Sequence, residues 1–158
     1  MPVKKQLKKL VKGALPFPTL MEHLNAGDPL ALVLRGHLYV EAALIKQIES
    51  APLNKKALVN KKTLKGAKHN FPDKVKVAVE LGKVDPPDDT GFIALNDLRN
   101  DFAHDVNRKL TEQNESKLYD ALSPSQREIP DVARKLEMTP LGRLRFDIMG
   151  LIANAYHA

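Results

Sequence analysis

An all-α bundle of about six or seven helices is the fold class predicted for this chain of 158 residues. Three observations predict it. Apolar residues recur at three- and four-residue spacing in segment after segment. No stretch alternates apolar and polar residues as a run of strands would, and no internal repeat is present. Prolines, glycines and Asp, Ser or Thr residues stand where helices would begin and end.

The segments follow in order. Lys4, Lys5, Lys8, Lys9 and Lys12 interleave with Leu7, Leu10, Val11 and Ala14, which makes residues 1–18 a basic amphipathic segment closed by Pro16 and Pro18. Such a segment can dock on the body, touch RNA or touch an acidic lipid surface, and a helix this short favours docking. Residues 19–158 read as a single helical domain. Thr19 to Ala26 is a short helix stopped by Gly27. Asp28 and Pro29 then supply an N-cap and a first-turn proline for a long helix to Ser50. Leu30, Val33, Leu34, Leu38, Val40, Leu44, Ile45 and Ile48 cover more than one of its faces, so it is central and packed on two sides. His37 and Glu41 sit one turn apart on it, within hydrogen-bonding reach of each other. Glu41 lies among apolar neighbours, where a carboxylate needs a partner. A satisfied structural hydrogen bond is one reading of the pair, and orientation of a neighbouring helix's Arg99 or His104 is the other.

Residues 51–70 carry Lys55, Lys56, Lys61, Lys62, Lys65 and Lys68 with few apolar anchors. They form a long basic connection with at most short helical pieces, either a solvated loop or a clamp on an RNA backbone. Phe71 to Leu81 is a three-turn helix ending at Gly82. Pro86, Pro87, Asp88 and Asp89 set and cap the next helix, through His104 and Val106. Glu112 to Leu122 is a shorter one with Leu118, Ala121 and Leu122 inward, and Ser123-Pro124 begins another through Leu136. Thr139-Pro140 starts the last, with a stripe of Leu141, Leu144, Ile148, Leu151, Ile152 and Ala155 that reads as core or dimer interface.

Composition sets the bounds. With 43% hydrophobic and 28% charged residues the chain is not disordered. It has no cysteine, which excludes disulfides, thiolate metal sites and a cysteine nucleophile. Neither a signal peptide nor a run of about 20 apolar residues that could span a bilayer is present, so the expected location is cytoplasmic, with no membrane partner. The net charge of +6 is uneven: residues 1–83 hold 16 Lys and Arg against 6 Asp and Glu, and residues 84–158 hold 9 against 13. A basic half of this kind suits a polyanion, although lysine-rich solubility gives the same pattern.

The polar cluster that looks like chemistry is A-L-N-D-L-R-N-D-F-A-H-D-V, Ala94 to Val106. On a helix at about 100° per residue, Leu95, Leu98, Phe102 and Val106 fall within about 80° and form its core stripe. Asn100 and His104 are one turn apart, and Arg99 adjoins Asn100, so the trio shares a polar surface away from that stripe. A guanidinium that grips phosphate oxygens, an amide that orients a neighbour and an imidazole that titrates near neutrality suit attack on a phosphodiester. A solvated helix face with a structural histidine is the plainer alternative.

The pattern Arg99-Asn100-Asp101-Phe102-Ala103-His104, preceded by Leu95-Asn96-Asp97-Leu98, resembles the R-N-x-x-x-H signature of the HEPN superfamily of helical domains. Phe71 to Val84 is similar to the helix before that motif, and Leu34 to Ile48 to the family's first long helix with its inward acid, here Glu41. The likeness covers roughly residues 20 to 106, nearest to small stand-alone and mannitol-operon-repressor-like members. It implies a metal-independent endoribonuclease without cofactors: the RNA 2′-hydroxyl attacks the adjacent phosphorus, leaving 2′,3′-cyclic phosphate and 5′-hydroxyl ends. His104 would be general base or acid, Arg99 the clamp on the developing charge, and Asn100 the residue holding both. One imidazole cannot serve both ends of the displacement at once, so a homodimer that joins two motifs is implied. A toxin–antitoxin or defence setting with an inhibitory protein partner fits such an activity. Val106 stands where some toxin members have a tyrosine, which argues against their adenylylated form. The competing expectation is a non-catalytic regulator or a nucleic-acid- or nucleotide-binding module, although no recognition helix with clustered Arg, Asn or Gln and no glycine-rich phosphate loop is evident.

Overall fold

A computed structural model describes residues 17–59, 70–136 and 138–157. Among these the protein is all-helical, with no strand and eight helices. They are α1 (Phe17–Leu24), α2 (Pro29–Glu49), α3 (Leu53–Leu58), α4 (Phe71–Glu80), α5 (Asp88–His104), α6 (Glu112–Ala121), α7 (Glu128–Arg134) and α8 (Pro140–His157). The basic segment 1–16 lies outside the described residues.

The central helix is α2. The Asp28 side chain accepts from the backbone N–H of Leu30, and Pro29 occupies the first turn, as the sequence predicts. One side of α2 packs on α8 and another on α4 and α5, which explains apolar residues on more than one face. Gly36 permits a close approach: a Cβ there would run into the Ile148 side chain of α8. Leu144, Ile148, Leu151, Ile152 and Ala155 are fully buried, so the stripe on α8 is core. The carbonyls that end α1 are taken by Arg145, which donates from Nε to Leu24 O at 2.8 Å and from Nη2 to Ala26 O at 3.3 Å.

Helix α4 begins at Asn70, whose side chain accepts from Asp73 N at 2.8 Å, and closes with Gly82 in the left-handed region at φ +71°. Helix α5 departs from the expected pattern at both ends. Asp88 and Asp89 lie inside its first turn rather than capping it, where acids complement the helix dipole. The helix stops at His104, so Val106 is 72% exposed rather than core; the stripe reaches the interior only through Phe102.

A polar lock fixes the start of α5. Gln126, completely buried in the turn before α7, donates from Nε2 to Asp88 O at 2.9 Å and to Asn154 Oδ1 at 3.1 Å. Its Oε1 accepts from Ser123 N at 3.0 Å, and Asn154 donates in turn to the Asp88 carboxylate at 3.1 Å. Gly91 makes room for this amide, since a Cβ there would collide with Gln126. The first turn of α5 is thus tied to α8 and to the α6–α7 connection.

Candidate functional site on α5

Asn96, Asn100 and His104 follow one another at four-residue spacing, so on α5 they form a stripe that drifts only about 40° per step. The stripe climbs out of the protein: Asn96 is buried, Asn100 half-buried and His104 exposed on the last residue of the helix. Arg99 is half-buried, and its Nη1 donates to Asn100 Oδ1 at 3.0 Å. The guanidinium is therefore held by its neighbour with other N–H groups left to grip an anion. The structure brings Arg99 and Asn100 into contact and sets His104 one turn further, at the surface. The trio does not lie wholly on an outer face: its first two members sit at the edge of the core.

Beneath the stripe, α2 contributes His37. Its Nε2 is 3.0 Å from Asn96 Oδ1, and because a carbonyl oxygen only accepts, Nε2 carries the hydrogen. The ring packs against Phe71 of α4, centroid to centroid at 4.3 Å. Burial pushes the His37 pKa below the usual imidazole value; the Asn96 bond and the Glu41 charge oppose that, while Arg99 and Lys74 reinforce it. His37 is consequently a neutral imidazole near pH 7, close enough to Arg99 to feel its charge.

Glu41 takes neither of its anticipated partners. Its carboxylate pairs with Lys74 Nζ of α4 at 3.3 Å, not with His37 one turn earlier nor with Arg99 or His104. The cause is competition: a lysine that is itself 8% exposed needs a counter-charge, and an ion pair outbids a neutral imidazole already bonded to an amide. Lys74 and Asn96 belong to this neighbourhood although sequence reasoning overlooked them. Asn96 had a signal, since it extends the Asn100–His104 spacing by one turn toward the helix start. Lys74 resembled any solvated lysine.

Of the basic connection, Lys55 is exposed and Lys56 donates to Glu49 O at 3.1 Å, closing the end of α2. Lys61, Lys62, Lys65 and Lys68 lie outside the described residues. Among the described residues no three His, Asp or Glu side chains gather where a metal ion could be held, and no helix is long and apolar enough to cross a membrane.

The arrangement offers an amide and an exposed imidazole along one stripe, with a guanidinium anchored beside it on Asn100. No protein-family model, no curated protein and no solved structure matches this chain.

Proposed function

We propose that the protein is a metal-independent endoribonuclease acting through the stripe on α5. The observation that carries this reading is the graded placement of Arg99, Asn100 and His104: the phosphate grip is anchored at the edge of the core while the proton-exchanging group stands in solvent. Arg99 holds the non-bridging oxygens and offsets the charge that grows as the 2′-oxygen bonds to phosphorus. One imidazole accepts the 2′-hydroxyl proton and a second gives a proton to the departing 5′-oxygen. The P–O5′ bond breaks, and the ends are a 2′,3′-cyclic phosphate and a 5′-hydroxyl.

His104 supplies one of those imidazoles. His37 does not supply the other, because its Nε2 is committed to Asn96, which precedes His104 on α5 by two helical turns, about 12 Å along the axis. A second copy of the chain supplies it, in a homodimer whose two motif helices meet. Val106, 72% exposed and two residues beyond His104, gives that meeting an apolar contact. The basic half of the chain favours an RNA backbone, the cytoplasm is the setting, and a protein that restrains the activity is the expected partner.

The deciding experiment is incubation of the purified protein with mixed cellular RNA in EDTA, for wild type and His104→Ala. The reading predicts cyclic-phosphate ends that vanish in a normally folded variant. Intact RNA with both proteins would instead favour a non-catalytic nucleic-acid-binding regulator.

A further inference from the structure

On the other flank of the stripe, α5 and α6 enclose a cleft of about 160 Å³. Asp97 and Asp101 of α5 line it together with Lys117 of α6 and Arg108 of the intervening turn, over Leu98 and Leu118. None of the four charged side chains makes an ion pair among the described residues, although carboxylates and cations border the same small space. Left apart, they suit a ligand that presents hydrogen-bond donors to the carboxylates and negative charge to the cations.

Size and position narrow the ligand. Drug-sized pockets run to about 300–1,000 Å³, so this cleft suits one flat base, monocyclic or fused, with the rest of the molecule outside. Asp101 precedes His104 by three residues, which makes the two side chains neighbours on the helix surface. A ring in the cleft would thus belong to the nucleotide beside the phosphate gripped at the stripe.

Among the RNA bases, guanine alone presents two adjacent donors, N1–H and N2–H2, to a single carboxylate. Cytosine and adenine each offer one amino group next to an acceptor nitrogen, which a carboxylate repels, and uracil offers one N–H between two carbonyls. Asn114 also lines the cleft. Its Oδ1 is engaged by Thr111 in the capping box of α6, and its amide N–H2 can serve the guanine O6. Arg108 and Lys117 would meet the phosphate of the same nucleotide.

We infer that this cleft is a guanine-reading subsite, in which Asp97 and Asp101 select the base next to the scissile phosphate. The inference rests on the ribonuclease reading for its RNA strand, but the base selection can be tested without catalysis. Calorimetric titration of the full chain with GMP, AMP, CMP and UMP should show GMP about tenfold or more tighter than the others. Asp97→Asn or Asp101→Asn should erase that preference while leaving the far-ultraviolet circular dichroism unchanged, since both residues are exposed. Equal binding of all four nucleotides, no binding, or an undiminished preference in both Asn variants overturns the subsite.

A second arm uses His104→Ala protein, which the ribonuclease reading makes inert, with short oligoribonucleotides containing or lacking one guanine. Tighter binding of the guanine strand supports base reading in RNA. GMP selection with no difference between the strands overturns the assignment to RNA and leaves a site for the free nucleotide. Cleavage that depends on His104 without any guanine preference sinks the subsite alone, whereas guanine selection without cleavage sinks the ribonuclease alone.

Discussion

Two polar clusters lie at different helix junctions of this protein, and they are built in opposite ways. Around α5, His37, Asn96, Arg99 and Asn100 form a string of neutral and positive groups that opens to solvent at His104. Where α6, α7 and α8 meet, Glu115 and Asp147 are completely buried, and Nη2 of Arg134 reaches both, with Asp147 Oδ1 at 3.4 Å. Arg143 Nε stands 3.8 Å from Glu115, and the Arg134 guanidinium lies 3.7 Å from the centroid of the Tyr119 ring. Burial, then the hydrogen bond and charge of Glu115, push Asp147 up to about 9, so this carboxyl keeps its proton at neutral pH. The more strongly perturbed acid is therefore in the cluster that is closed. Perturbation here reports the cost of sealing charge inside a helix junction, and accessibility is what sets apart the cluster proposed to act on RNA.

The comparison predicts unequal losses. Arg134→Ala strips the shared cation from two buried acids and should cost about 3 kcal/mol of stability, read by urea denaturation; a loss below about 1 kcal/mol would mean that the pair stands without it. Gln126→Ala removes the amide that ties Asp88 to Asn154 and should cost about 2 kcal/mol. Near-native stability in that variant would show that the start of α5 holds itself.

The clusters also titrate in opposite directions. Asp147 has a folded pKa raised above its unfolded value near 3.8, so the folded state binds the extra proton and this stabilisation fades as pH rises from about 4 to about 9. His37 has a folded pKa below the usual 6.5, so its contribution is present above that value and lost as pH falls through the lowered one. Asp147→Asn should remove the fall in stability between about pH 4 and about pH 9, and His37→Gln the loss that sets in below about pH 6.5. Unchanged slopes in either variant would contradict the corresponding assignment.

The smallest expected effect on stability comes from the residue proposed to matter most for activity. His104→Ala, exposed at a helix end, should shift stability by less than about 0.5 kcal/mol while lowering RNA cleavage by about a hundredfold or more. A variant that loses activity by unfolding would place His104 with the structural groups.

Much of the architecture was legible before the structure. Spacing placed α2, α4 and α8 to within a residue or two because Asp28-Pro29, Gly82 and Thr139-Pro140 act locally, on the turn beside them. Val106 misled because periodicity continues past the point where the backbone leaves the helix. Spacing points Glu41 to its own helix or to α5 because sequence shows intrahelical neighbours, whereas Lys74 arrives from α4.

By itself the sequence determined the helical class, the central place of α2 and the spacing of Arg99, Asn100 and His104 on one helix, since periodicity and capping are short-range. Tertiary structure decided which polar groups are buried and with whom: His37 with Asn96, Glu41 with Lys74, Gln126 with Asp88, and Glu115 with Asp147 on Arg134. Each of those choices joins residues from different helices. A buried polar group must find a partner wherever packing happens to place one, and one chain's local pattern carries no record of that meeting.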